Sequence, residues 1–179
     1  MYEQDIKKMD ATAVEKILLE ILDKISARKY QRGEKSAMDD KNLLACFTDL
    51  LDQSNTLEEY VRTNFEKDKH IIGILIGYKR PFEDGILSDI KKLKNLKKLN
   101  INTTQEEQHI ERTFHTILDS FQKLNMYIYN KYKDDSEMRA ALTNILMRIE
   151  DLSEHYYWVR IKERQKQDLE KEEEDFDRH

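Results

Sequence analysis

Arg148 and His155 lie seven positions apart near the end of the chain, in a stretch with the apolar spacing of a helix. Seven residues is close to two turns, so the two side chains point within roughly 20° of each other. A guanidinium and an imidazole on one stripe have complementary chemistry. The first binds a phosphate and steadies the charge that develops on it. The second, with an ordinary pKa near neutrality, takes or gives a proton. That is the minimum a metal-free ribonuclease requires. The plainer reading is an ion pair between Arg148 and Asp151, one turn away, beside a half-buried surface histidine. Asn144, a turn before Arg148, adds an amide to the same row.

Any RNA at such a row needs a basic surface to hold it, because the chain carries a net charge of −5 and offers no overall positive field. Lys91, Lys92, Lys94, Lys97 and Lys98 supply a local one. With Leu93 and Leu96 turned inward, these lysines form a basic face able to contact phosphates, or simply a solvated one. Glu106 and His109 have the spacing of a carboxylate–histidine metal pair. No second such pair exists, and His115 is off that face, so neither a metal nor another cofactor is expected. Glycine-rich phosphate loops, nucleophile elbows and zinc spacings are absent.

The elements that must position these residues read as helices throughout. Four glycines and one proline in 179 residues leave few breakers. A first helix spans about residues 3–30, and a loop follows to residue 38. Asp39 or Asp40 caps a short second helix with Leu43, Leu44, Phe47, Leu50 and Leu51 inward. A third starts after a Ser54-Asn55-Thr56 cap and ends at Pro81. Within it, residues 70–78 read as helix rather than strand, because no partner strand exists. Gly73 and Gly77 in that stretch suit close packing inside the bundle. Self-association through them is a lesser option, and membrane contact a smaller one still.

A short helix follows Asp84-Gly85. Thr103 with Glu106 makes a capping box for the next, whose core side is Ile110, Phe114, Ile117, Leu118, Phe121 and Leu124. The last runs from about residue 137 past Ile161. The expectation is an all-α, single-domain bundle of five to six helices with a long C-terminal helix. Residues 1–161 form the bundle and 162–179 a charged helical extension or tail. At this length about 70% of the unfolded surface can be buried. Cys46 alone excludes an internal disulfide and fits a reducing compartment, so the chain reads as cytoplasmic.

Arg148, six intervening residues and His155 resemble the arginine–spacer–histidine motif of the HEPN family, and Tyr157 holds the place where many members carry a tyrosine. On a regular helix Tyr157 falls about 180° from Arg148, outside the row. The resemblance implies an all-α domain, a homodimer or higher homo-oligomer, and action on RNA or assistance to it. Arg148 would bind the scissile phosphate, with His155 as acid or base. The family's settings imply a toxin–antitoxin or phage-defence role, RNA-targeting CRISPR systems included. The rival expectation is a non-enzymatic protein-interaction module, docking a protein partner through exposed Tyr127, Tyr129, Tyr132, Tyr157 and Trp158 with the tail as a binding helix.

Overall fold

The structure is a computed structural model that describes residues 36–178; the helix expected at residues 3–30 lies outside the described residues. Among the described residues every regular element is helical: α1 (Asp40–Asn64), α2 (Lys69–Glu83), α3 (Ile86–Lys98), α4 (Thr104–Lys131) and α5 (Ser136–Asp177). α1 packs along α5 and also meets α3 and α2, while α4 packs on α2 and α3 and touches α5. The core lies where their apolar stripes meet. Phe47, Leu50, Leu57, Ile117, Phe121, Ile145 and Ile149 are fully enclosed there.

Two expected helices are one. The Ser54-Asn55-Thr56 stretch does not cap anything, because its hydroxyls bond back into α1. Ser54 Oγ donates to the Leu50 carbonyl at 2.7 Å, and Thr56 Oγ1 donates to that of Asp52 at 3.0 Å. Such bonds let a hydroxyl sit mid-helix. Ser54 is buried and also bonds the Tyr78 hydroxyl at 2.9 Å, so α1 passes through it to reach α2. The true break is at 65–68, where the Asp68 side chain accepts from the Ile71 N–H and starts α2.

Residues 70–78 are helical, as expected, but Pro81 does not stop α2, which continues to Glu83. Proline removes the bond to the carbonyl four residues back, here that of Gly77. Gly77 is exposed, and Pro81 and Phe82 are buried, so packing carries the helix past the missing bond. Gly73 and Gly77 face open space rather than a neighbouring helix, contrary to the expected tight packing. Gly85, at φ 104°, makes the turn into α3, a left-handed conformation that a side chain would strain. Thr103 makes no capping bond; Asn102 Oδ1 takes the Thr104 N–H at 2.9 Å instead.

α5 is the longest element. Its first part is buried against the bundle from Met138 to Trp158, and residues 162–177 are exposed all round. No helix among the described residues is long and apolar enough to cross a membrane.

Candidate functional site

α5 presents Arg148 and His155 to α1, about 10 Å apart along the axis. Asp135 caps the start of α5, its carboxylate accepting from the Met138 N–H at 3.0 Å. From there the buried row Leu142, Ile145, Ile149 and Leu152 fixes the rotation of the helix. Arg148 and His155 flank that row, as their spacing requires.

Each already has partners. Arg148 Nε lies 3.2 Å from Asp49 on α1, and Nη1 lies 3.2 Å from Asp151. The ion pair with Asp151 is the plainer of the two readings of its sequence position. His155 is buried, and its Nδ1 accepts the Met38 N–H at 2.9 Å. A neutral imidazole that accepts at Nδ1 carries its proton on Nε2. Burial pushes its pKa down to about 4, outweighing the nearby carboxylates of Asp40 and Glu111 that favour the charged ring. In this arrangement His155 has a hydrogen to donate and no free lone pair with which to take one. The two residues share a face, but not a common opening.

The other expected site residues divide. Asn144 is exposed on the row before Arg148, and Lys91, Lys92, Lys94 and Lys98 are exposed on α3. Lys97 is held by Glu107 at 2.8 Å and Asp40 at 3.1 Å. Burial works against its charge, but Glu107 and Asp40 prevail and keep its pKa above the usual lysine value.

Of the aromatics expected to be exposed for docking, Tyr157 alone is so, at 44% exposure. Trp158 is buried, Tyr129 is half-buried, and the Tyr127 and Tyr132 hydroxyls both donate to Asp68. These tyrosines tie α4 to the start of α2 rather than awaiting a partner. Among the described residues no group of three or more His, Cys, Asp and Glu side chains could hold a metal ion.

Two features went unread in the sequence. A cavity of about 710 Å³ opens beside His155, between the start of α1, the start of α4 and α5. Its floor includes Leu43, Leu93, Ile110 and Tyr156, and its rim is charged. Near it, Arg160 Nε lies 3.0 Å from Glu111 and Arg160 Nη2 lies 3.0 Å from His115 Nε2. His115 holds the Glu111 carboxyl below the ordinary carboxylate range, and Arg160 adds to that against the opposing effect of burial. This trio joins α4 to α5 across 45 to 49 residues of sequence, a separation no local spacing rule reaches.

No family model matches the chain, and neither a curated protein nor a solved structure does.

Proposed function

We propose that this chain is a HEPN-like helical protein that assists action on RNA through its binding surfaces, in a toxin–antitoxin or phage-defence setting such as an RNA-targeting CRISPR system. One observation carries the choice of assistance over cleavage. The His155 lone pair that a general base would use is already taken by the Met38 N–H. Arg148 shares its charge with two carboxylates rather than with an empty site. The HEPN resemblance itself rests on the Arg148–His155–Tyr157 pattern, supported by the all-helical fold and the long α5. Lys91, Lys92, Lys94 and Lys98 are the exposed groups best suited to phosphates.

A non-enzymatic protein-docking module is the second reading. It is favoured by the exposed end of α5, where Leu169 and Phe176 face solvent.

The test is to incubate the protein with mixed-sequence RNA in EDTA, beside Arg148→Ala and His155→Ala versions checked for folding by circular dichroism. Expected are no cleavage by the parent and a weak, salt-sensitive affinity that drops when the four lysines become glutamine. Cleavage by the parent that both substitutions abolish would make this a metal-independent nuclease and overturn the assisting role. Absence of both cleavage and binding would leave the docking module.

A further inference from the structure

The geometry points to a small-molecule site in the cavity beside His155, one that takes a neutral, largely apolar ligand bearing a carbonyl oxygen. This reading goes beyond the RNA contacts proposed above and does not depend on them.

At about 710 Å³ the cavity has the size of those that enclose small organic molecules. Leu43 of α1, Leu93 of α3, Ile110 of α4 and Val159 of α5 line it, so four helices bring an apolar side chain to one hollow. One polar group opens among them. His155 is only 8% exposed, and its Nδ1 is occupied by the Met38 N–H. The ring proton is therefore on Nε2, which meets no acceptor among the described residues. The neighbouring Tyr156 hydroxyl also lacks a partner, but it is fully enclosed and out of a ligand's reach. His155 Nε2 is not enclosed, and with His155 in the cavity wall its N–H opens into the cavity. The Met38 bond already holds the ring, so a ligand oxygen can accept from Nε2 without ordering a loose side chain.

The charges at the rim favour a ligand with none. Asp40 and Glu107 are held by Lys97, and Glu111 by Arg160. The remaining rim charges are Lys162 and Lys166 against Glu163 and Glu170, which balance. An ion of either sign would meet both and would still lose its hydration. The imidazole is itself neutral, since burial pushes its pKa down to about 4. A neutral N–H suits a carbonyl oxygen and lacks the charge that strengthens a bond to a carboxylate.

The experiment compares benzophenone with diphenylmethane, two neutral probes of nearly the same shape, of which only the first has a carbonyl oxygen. Each is titrated into the isotope-labelled full-length protein near neutral pH and followed by NMR. Both are expected to shift the amides of Leu43, Leu93, Ile110 and Val159, and only benzophenone should move the His155 Nε2 resonance. In His155→Asn the side-chain oxygen can still accept the Met38 N–H, but no donor reaches the Nε2 position. There the affinity for benzophenone should fall about tenfold relative to that for diphenylmethane, the loss of one hydrogen bond. Taking the ratio cancels the different hydrophobicity of the two probes.

Shifts confined to other parts of the protein, or none from either probe, overturn the site. An Nε2 resonance that ignores benzophenone, or a ratio that the substitution leaves unchanged, overturns the ligand class. Should His155→Asn misfold, the Nε2 resonance of the parent decides alone. No RNA enters these measurements, so failure here is distinct from failure of the RNA reading, which the cleavage assay decides.

Discussion

His155 binds the segment preceding α1 to α5 by accepting the Met38 N–H from a buried position, and this makes the folded state depend on its staying neutral. Its folded pKa is about 4, against an ordinary 6.5. A base whose folded pKa is depressed contributes stability that is complete above its unfolded pKa. That contribution is lost as pH falls from 6.5 toward 4, where the unfolded chain binds the extra proton first. The loss amounts to about 3 kcal/mol at most. Urea unfolding between pH 7.5 and 4 should show this slope, and His155→Phe should flatten it. The same variant should lower stability at neutral pH by about 1–3 kcal/mol, since the Met38 N–H loses its acceptor. An unchanged slope would show that His155 is not the titrating group. Arg148 behaves differently: half-exposed and bridging Asp49 and Asp151, its pairs are worth about 0–1 kcal/mol, so Arg148→Ala should fold normally and serve as a clean probe of function.

The start of α1 was legible at Asp39, and the start of α2 was missed at Asp68, where several groups converge. Asp39 accepts the Asn42 N–H at 2.7 Å and caps α1. Asp68 caps α2 in the same way but also receives the hydroxyls of Tyr127 and Tyr132 and, at 2.9 Å, the Lys131 ammonium group. Removing the first should cost about 1 kcal/mol, the ordinary worth of a cap. Removing the second strands two hydroxyls as well, so Asp68→Ala should cost about 2–4 kcal/mol. Equal losses on chemical denaturation would mean that the tyrosines find water at no cost. The hydrogen bonds from Tyr132, Lys131, Tyr127 and the Ile71 N–H together overcome the effect of burial and hold Asp68 well below the usual carboxylate range. Its contribution therefore persists at neutral pH and fades only as pH falls below the ordinary value near 3.8. The same convergence explains the missed continuity of α1. Ser54 looks like a cap in a list of residues, but it is a buried bond to Tyr78 in the fold.

On the scale of the whole molecule, a bundle continues into a helix that outruns it. α5 is 42 residues long, about 63 Å, and its last 16 residues touch no core. A helix end without packing opens readily, so backbone amides beyond about residue 162 should exchange with solvent far faster than those between Met138 and Trp158. Equal protection along all of α5, measured by hydrogen exchange, would mean that the exposed part is covered in solution.

What the sequence determined by itself is the helical class, the inward faces of α1, α3 and α4, and the shared face of Arg148 and His155. Each of these is set by periodicity within a single helix, and 3.6-residue repeats survive any tertiary arrangement. What only the tertiary structure decided is what meets those faces. Asp49 and Met38 sit about 100 residues or more from the groups they engage, so the occupied state of Arg148 and the neutral, buried state of His155 are properties of α1 lying on α5. Burial and long-range hydrogen bonding set protonation and access, and neither is written in the spacing of one helix.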